Sequence, residues 1–331
     1  MAMVRSARIR IGAGVGAILA TVLAGCGSGA PSNAAAPDCG APARPLVIAT
    51  GTASGVYSAM GTELARLISA GTPLQARAVQ TGSTLGNVQQ LASGEYDIAF
   101  AQADGAADAV RGQGVFSEPQ KIQALARIYP DYTHVVVSAG SGVSSMADFR
   151  GKRISTGPAK SGTELIADRL LQAAGLDPAK DVQAQHLDLD ATVAAMRAGT
   201  LDGFVWSGGL PTGGVADLFA SDGSRMRFVD VSTLLPALQR DDDVYSAGTI
   251  PAAAYHTSGD VPTITLPNML VVRSDFSPEA ACAVTKVLFQ QKAALVSAAP
   301  AAVGIDPRTA ADTGPVELNP GARAALGQLT G

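Results

Sequence analysis

The stretch PLVIATGTASGVYSAMGTELARLI, residues 45–68, contains a short apolar run, a glycine loop and a helical pattern in immediate succession. PLVIAT has the near-continuous apolar character of a strand that is buried on both faces of a parallel sheet. After the loop TGTASG, apolar residues recur at helical spacing, at Val56, Met60, Leu64 and Ile68. The stretch therefore predicts a strand, a loop and a helix, the first half of a β-α-β unit.

The segments that follow extend this unit and then repeat it. PLQARAVQ, STLGNVQQLASG and YDIAFAQ predict a strand, a helix and a strand, which gives β-α-β-α-β with right-handed crossovers. The same order recurs in KRISTGPAKSGTELIADRLLQAAG, DVQAQHLD, DATVAAMRAG and LDGFVWSGG. The loop at 50–55 corresponds to TGPAKSG at 156–162, and GEYD at 94–97 corresponds to GTLD at 199–202. Two correspondences at nearly equal spacing predict two similar α/β lobes, each with its own loop.

Two further segments predict how the lobes are connected. THVVVSAGSGVSSMADFRG lies between the repeats and would cross from the first lobe to the second, and TITLPNMLVVR would cross back. We therefore expect an α/β clamshell with a cleft between two lobes and two crossings at the hinge. The first lobe would comprise residues 46–132 and 262–331, and the second lobe would comprise residues 133–261.

The N-terminal residues predict a secretory signal. MAMVRSARIR is basic, the apolar run after it is too short for a comfortable transmembrane helix, and Leu23-Ala24-Gly25-Cys26 matches the bacterial lipobox. We interpret residues 1–25 as a signal peptide and Cys26 as the lipidation site; an ordinary signal peptide with an incidental cysteine is the alternative. The remainder of residues 26–45 is small and proline-rich, typical of a flexible tether. Membrane contact would then be made through the lipid anchor.

Besides Cys26, the chain contains two cysteines, Cys39 and Cys282. An extracytoplasmic location permits a disulfide between them. Alternatively, Cys282 is buried in its helix and Cys39 has no partner. The sequence favours neither alternative.

Composition and motifs exclude several classes of function. The net charge is −4 and no Lys/Arg run is present, so nucleic acid is a poor partner. The sequence contains no P-loop, no G-x-S-x-G, no H-E-x-x-H and no C-x-x-C. The histidines, at 134, 186 and 256, are predicted to be surface or packing residues. We therefore expect no catalytic residue, no metal site and no cofactor.

The two glycine loops are the predicted binding site. Free N–H groups and partial positive charge collect at helix N-termini, and ligands of open α/β sheets bind beyond the carboxyl ends of the strands, where these loops lie. Ser54 and Ser161 could alternatively be simple N-caps. As a pair facing one cleft, the loops predict binding of a small carboxylate-bearing solute. The residues assigned to this role are Ser54, Gly55, Val56, Tyr57, Ser161, Gly162 and Thr163.

The ends of other strands supply further candidates for ligand contact. They are Thr81, Ser83, Gln102, Asp104, Trp206 and Gly208. Thr81 and Ser83 could add hydrogen-bond donors or merely cap the next helix. Asp104 could hold a ligand amine or cap its own helix, and Trp206 could form a wall of the pocket or pack in the core.

A series of segments resembles the TAXI solute receptors of TRAP transporters. These segments are TGTASGVYSAMGTELARLI, TGSTLGNVQQLASGEYDIAFAQADGAADA, DFRGKRISTGPAKSGTELIADRLLQAAGL, AMRAGTLDGFVWSGGLPTGGVADL, IPAAAY and NPGA, in this order. The chain departs from the family pattern at Ser58, at Pro130-Asp131 after Tyr129, and at Asn319, where the family often has tyrosine, an acidic residue and histidine.

The resemblance implies a two-lobed periplasmic-binding-protein fold, type II-like. It also implies capture of a small organic anion or amino acid, such as glutamate, glutamine or a dicarboxylate, and delivery to a TRAP-type permease. The protein would be a monomer, lipid-anchored on the extracytoplasmic face of a bacterial membrane. The alternative that stays open is a ligand-binding lipoprotein that acts as a sensor for a signalling partner.

Overall fold

The computed structural model describes residues 39–82 and 84–330. The predicted signal peptide, Cys26, the tether up to residue 38 and Ser83 lie outside these ranges. Within them, no helix combines the length and the apolar character that crossing a membrane requires.

Strands and helices alternate through most of the described chain. The strands are β1 Pro45–Ala49, β2 Gln75–Val79, β3 Ile98–Gln102, β4 Ile122–Ser138, β5 Arg153–Ser155, β6 Gln183–Gln185, β7 Gly203–Gly208, β8 Met226–Phe228, β9 Ser246–Ile250 and β10 Val261–Arg273. The helices are α1 Val56–Gly71, α2 Thr84–Ala92, α3 Ala103–Arg111, α4 Gly162–Ala173, α5 Leu189–Ala198, α6 Gly213–Asp222, α7 Leu235–Asp241, α8 Ala252–Tyr255, α9 Pro278–Gln290, α10 Lys292–Ala298 and α11 Pro320–Thr330.

The predicted internal repeat is present in the sheet. Its strand order is β2-β1-β3-β10-β4-β7-β5-β6, with β8 on β4 and β9 on β10. In the first repeat β1 pairs in parallel with β2 and β3, and in the second β5 pairs in parallel with β6 and β7. The two halves therefore have the same local topology, arranged on either side of the long strands β4 and β10.

The repeated motifs GEYD and GTLD perform the same local task in both halves. Each begins with a glycine in the left-handed region, with φ of +86° and +70°, which ends the preceding helix. Asp97 Oδ2 then accepts a hydrogen bond from the N–H of Val47 at 2.8 Å, and Asp202 Oδ2 accepts one from the N–H of Arg153 at 2.8 Å. Each aspartate thus ties the start of a third strand to the first strand of its repeat.

Two long antiparallel strands connect the halves. β10 contains the predicted return crossing TITLPNMLVVR. The first crossing is β4, which begins at Ile122 rather than in the predicted segment from Thr133 onwards, and which ends at Ser138. Pro130 obscures this strand in the sequence because proline cannot donate to a ladder. In the structure Pro130 lies opposite Pro267, at a point where the register of the pair is irregular.

The apolar core is divided into separate clusters. One cluster draws on residues 46–129 and 269–326, and two others draw on residues 135–266. The precise lobe boundaries, between 132 and 133 and between 261 and 262, stay a prediction.

Cys39 and Cys282 form a disulfide, with their Cα atoms 5.9 Å apart. Arg44 adds an ion pair with Asp97, Nη2 to Oδ1 at 2.6 Å, and lies over the ring of Phe276. The predicted tether therefore does not extend to residue 45, because its end from residue 39 onwards is fixed to the folded body. A structural disulfide is typical of an oxidising, extracytoplasmic compartment.

Candidate functional site

A cavity of about 110 Å³ lies between the two repeats, lined by residues of both. Ten of the predicted contact residues line it. They are Ser54, Gly55, Val56, Tyr57, Gln102, Ser161, Gly162, Thr163, Trp206 and Gly208. The structure thus brings together the two glycine loops and the ends of β3 and β7.

The N-terminus of α1 forms one side of the cavity. Gly55 is the N-cap residue, so Ser54 is not a cap, and the N–H of Gly55 donates to the carbonyl oxygen of Thr52 at 2.9 Å. The N–H groups of Val56 and Tyr57 donate to no other residue in the described ranges. Such groups at the beginning of a helix carry partial positive charge and are free to bind a ligand.

The N-terminus of α4 forms another side. Ser161 is the N-cap, and its Oγ accepts from the N–H of Glu164 at 3.0 Å, so the capping alternative holds for Ser161 even though the residue also lines the cavity. The N–H groups of Gly162 and Thr163 have no acceptor within the described part of the chain. Gly157 has φ of +83°, and a Cβ there would lie 2.5 Å from Thr163 Cγ2, so the loop requires glycine at this position.

Three polar side chains at the strand ends form a hydrogen-bonded group. Gln102 Nε2 donates to Asp131 Oδ2 at 2.6 Å and to Ser207 Oγ at 2.7 Å. Gln102 is on β3, Asp131 on β4 and Ser207 on β7, so the group joins both repeats through the crossing strand. Gln102 Oε1 and Asp131 Oδ1 are buried and accept no hydrogen bond from any described residue.

Burial controls the ionisation of Asp131. It raises the pKa of this carboxyl group to about 6, against the opposing effect of the hydrogen bonds that Gln102 and Ser207 donate to its Oδ2. Asp104 adds a further repulsion in the same direction as burial. Asp131 therefore titrates in a range that reaches close to neutral pH.

Tyr57 is held against the cavity wall by its ring and by its hydroxyl group. The hydroxyl donates to Asn268 Oδ1, and the ring lies 5.0 Å from the ring of Phe100, centroid to centroid. Burial, and secondarily the negative charge of Asp131, raises the pKa of Tyr57 well above its usual value. Tyr57 is therefore a neutral, fixed wall of the cavity.

Two predicted contact residues do not line the cavity. Asp104 is fully buried elsewhere, where it accepts from Tyr245 Oη at 2.7 Å and from Arg169 Nη1 at 3.3 Å. These contacts use the carboxylate to join α3 to α4, so its predicted contact with a ligand amine is corrected. Thr81 Oγ1 donates to the carbonyl oxygen of Thr50 at 3.0 Å, so Thr81 stabilises the first glycine loop and does not line the cavity.

The remaining wall residues were not assigned to the site from the sequence. They are Thr50, Gly51, Thr52, Gly82, Thr84, Tyr129, Asp131, Pro158, Leu189, Ser207, Thr212 and Gly213. Ser207 follows Trp206 directly, so its position at a strand end was a usable signal. Tyr129 was only a weaker candidate for the site, and Asp131 was noted only as a departure from the family pattern, because Pro130 between them hides β4.

No set of three His, Cys, Asp or Glu side chains in the described ranges is arranged to hold a metal ion. His134 packs in the core, with Nε2 2.7 Å from Tyr255 Oη, and burial lowers its pKa to about 4. This agrees with its prediction as a packing residue.

A family model described as the NMT1-like family matches residues 48–326. A solved structure from Bordetella bronchiseptica RB50 has 16% sequence identity and a TM-score of 0.57, covering 87% of this chain and 98% of that chain. A binding protein component of an ABC phosphonate transporter from Pseudomonas aeruginosa has 12% identity and a TM-score of 0.52, covering 79% of each chain. A structure from Xanthomonas citri, solved bound to ATP, has 15% identity and a TM-score of 0.50, covering 86% and 95%.

These comparisons confirm the predicted α/β, two-lobed periplasmic-binding-protein fold. At 12–16% identity these structures show the fold alone, and the one from Pseudomonas aeruginosa is named as the binding protein component of a transporter. They do not support a TRAP-type permease or an amino-acid or dicarboxylate ligand.

The match to the NMT1-like family shows that the assignment to the TAXI receptors was wrong. The segments that suggested it contain glycine loops, helix ends and strand starts, including GEYD and GTLD. Both copies of the repeat use these features to build the fold. Such segments identify the architecture without distinguishing families that share it.

Proposed function

We propose that this chain, which belongs to the NMT1-like family, is an extracytoplasmic solute-binding protein that holds one small organic anion between its lobes. One observation carries the proposal. The N-termini of α1 and α4, one from each repeat, contribute to the wall of the same cavity and leave their first N–H groups without acceptors in the described chain.

The energetics of such an arrangement favour an acidic group. Each helix N-terminus stabilises a negative charge by typically 0.3–1 kcal/mol, and by up to about 2 kcal/mol when the site is partly buried. Hydrogen bonds to a charged acceptor contribute about 1.5–3 kcal/mol each. The hydroxyl groups of Thr52 and Ser54 lie in the same wall and can add donors.

The acidic group is a phosphonate, a sulfonate or a carboxylate. The Pseudomonas aeruginosa relative is named as a phosphonate transporter component, and a tetrahedral oxyanion has three oxygens with which to meet donors from two helices. The carboxylate expected from the sequence has two oxygens and is the third member of the set to be tested.

The partner in the membrane is an ABC-type permease, which recognises the lobes closed on the solute. The relative from Pseudomonas aeruginosa is the binding component of such a transporter. Attachment to the membrane through a lipid on Cys26 is part of the same proposal, since a tethered receptor stays close to its permease.

The proposal is tested by thermal unfolding of the mature chain, disulfide intact, with a panel of small acids. The panel contains methylphosphonate, ethanesulfonate, succinate and glutamate, each with a neutral amide or alcohol of similar size. A solute at 100 times its Kd stabilises the folded state by about 2.7 kcal/mol, which raises Tm by several degrees. The proposal is contradicted if no acid at 10 mM raises Tm, or if the neutral compounds raise Tm as much as the acids do.

A variant of Gly162 tests whether the ligand-induced rise in Tm depends on the N-terminus of α4. In Gly162→Ala the new Cβ would lie 1.8 Å from Gln102 Oε1 and 2.4 Å from its Cδ, so the Gln102 side chain must leave its position beside the N-terminus of α4. We expect the ligand-induced shift to be lost. Gly140→Ala is the matched control, because Gly140 is exposed and its Cβ would meet nothing within 4 Å. Measuring Tm of both variants without solute separates lost binding from lost stability.

A further inference from the structure

We infer that the solute is zwitterionic, with a protonated amine that binds Asp131 while its acidic group lies at the helix N-termini. This inference rests on the proposed function, since it assumes that the cavity holds an acid. It adds the chemical class of that acid and assigns Asp131 as the residue that selects it.

Asp131 is a buried carboxyl group in the wall of the cavity. It is 3% exposed, near the middle of β4, where the strand passes between the two repeats. Its Oδ2 accepts from Gln102 Nε2 at 2.6 Å, whereas its Oδ1 accepts no hydrogen bond from any described residue. A buried polar atom without a partner is costly, so a donor from the solute would be stabilising here.

Among the described residues, none supplies a positive charge next to this carboxylate. None of the residues in the cavity wall is Lys, Arg or His, and no ion pair in the described ranges includes Asp131. The donors that this wall offers an anion, backbone N–H groups and hydroxyl groups, carry no full positive charge. A simple anion would therefore place a second negative charge near Asp131, which is unfavourable in a buried site unless one group takes up a proton.

A second empty acceptor favours an amine over protonation of Asp131. Gln102 Oε1 is also buried and accepts no hydrogen bond within the described chain. Protonation of Asp131 would satisfy that group alone and leave Gln102 Oε1 unchanged. An ammonium group has three N–H donors and one positive charge, so it can satisfy both oxygens.

The same glutamine indicates how far apart the two charged groups of the solute are. The amide of Gln102 contacts Asp131 through Nε2, and its Oε1 lies so close to Gly162 that a Cβ there would be 1.8 Å away. One side-chain amide therefore separates Asp131 from the first residue of α4. This short distance suits an amine and an acid that are joined by about one to three carbon atoms.

Calorimetric titration of matched solutes tests the inference. The pairs are 2-aminoethylphosphonate with ethylphosphonate, 2-aminoethanesulfonate with ethanesulfonate, and 3-aminopropanoate with propanoate. In the wild type we expect the amine-bearing member of the pair with the preferred acid to bind at least tenfold tighter. In Asp131→Asn, which keeps the size and removes the charge, this preference disappears, and the plain acid binds at least as tightly as in the wild type.

The outcomes distinguish the two proposals. If no acid of either kind binds the wild type, the proposed function fails. If plain acids bind the wild type as tightly as their amine-bearing counterparts, or if Asp131→Asn keeps the tenfold preference, the inference fails and the proposed function stands. Asp312→Asn, at an exposed carboxylate, is the control and keeps the wild-type preference.

A measurement on the wild type alone covers the case in which Asp131→Asn does not fold. Titrations at pH 7.5 in two buffers of different ionisation enthalpy report proton uptake on binding. The sulfonate and carboxylate pairs are used, because their acidic groups are fully ionised at this pH. Their amine-bearing members take up no proton, whereas the plain acids take up a substantial fraction of one proton through Asp131. The other titratable groups that interact with Asp131 are Asp104, Tyr57 and Tyr129. Proton uptake with the amine-bearing solute contradicts the inference.

Discussion

Replacement of Arg169 by methionine should destabilise the fold more than loss of any exposed ion pair. Arg169 lies on α4, and its Nη2 donates to both carboxylate oxygens of Asp108 on α3 at 2.8 Å. Its Nη1 donates to Asp104 at 3.3 Å and to Tyr245 Oη at 2.7 Å. The side chains of Asp104 and Asp108 are 0% and 7% exposed, and that of Arg169 is 16% exposed. The guanidinium group is therefore the shared partner of two buried carboxylates from the other repeat.

The expected cost follows from what the substitution leaves behind. Methionine retains most of the packing volume but no charge, so two buried carboxylates lose their cation. Removing one partner of a buried ion pair typically costs about 3–5 kcal/mol. The hydroxyl group of Tyr245, which still donates to Asp104, reduces this cost. We therefore expect a loss of about 3 kcal/mol in the free energy of unfolding at pH 8.

The pH dependence provides a second signature. Burial raises the pKa of Asp104, and the charge of Arg169 lowers it, so loss of Arg169 raises this pKa further. A carboxyl group whose pKa is higher in the folded state stabilises the fold when it is protonated, and that stability is lost as pH rises through the folded value. The difference between Arg169→Met and the wild type should therefore shrink from pH 8 to pH 5.

Urea unfolding of the oxidised protein at both pH values measures these differences. Arg66→Met is the control, because Arg66 is 60% exposed and pairs with Glu63 on the same helix, so its loss should change the stability little. Two results would refute the reasoning. One is an Arg169→Met variant within 1 kcal/mol of the wild type at pH 8, and the other is a deficit that grows on acidification.

Three further predictions address the disulfide, a buried histidine and a helix contact. Cys282→Ser should lose about 2–4 kcal/mol of the free energy of unfolding, because the bond to Cys39 closes a long loop. Thermal unfolding beside the oxidised wild type measures this loss. Equal stability would show that the bond does not constrain the unfolded chain. Burial lowers the pKa of His134 from 6.5 to about 4, so the free energy of unfolding should fall by about 3 kcal/mol as pH drops from 6.5 to 4. The urea midpoints of His134→Asn should lack this part of the pH dependence. An unchanged dependence of the midpoint on pH in this variant would contradict the prediction. Gly321→Ala should cost about 1–3 kcal/mol or more, because its Cβ would lie 1.7 Å from a carbonyl oxygen at the start of α9. Gly327→Ala on the same helix has open space around its Cβ, so in thermal unfolding it should be neutral or stabilising. Equal Tm values for the two variants would refute this contact.

The repeated parts of the fold could be predicted because each is encoded locally. GEYD and GTLD contain both the glycine that ends a helix and the aspartate that accepts from the first strand, so the motif itself carries the structure. The loops that open α1 and α4 are similarly local, and the prediction that they meet at one cavity followed from their equal places in the two repeats.

Other features depend on contacts that no local pattern contains. β4 runs through Pro130, so the periodicity that signals a strand is broken where Asp131 enters the cavity. Asp104 was assigned to the ligand because it follows a strand, but its position is decided by Arg169, which is 65 residues away in the chain. The family was misassigned for a related reason, since the segments that carried the resemblance are those that the two-lobed architecture itself requires.

Calorimetric titration of the wild type with the tightest-binding acid of the panel, compared with its neutral amide, tests the central claim most directly. The two helix N-termini predict one site per chain and an acid that binds at least tenfold tighter than the amide, a difference of about 1.4 kcal/mol or more. Equal affinity for the acid and the amide, or a stoichiometry other than one, would contradict the claim that these two helices hold a single small anion.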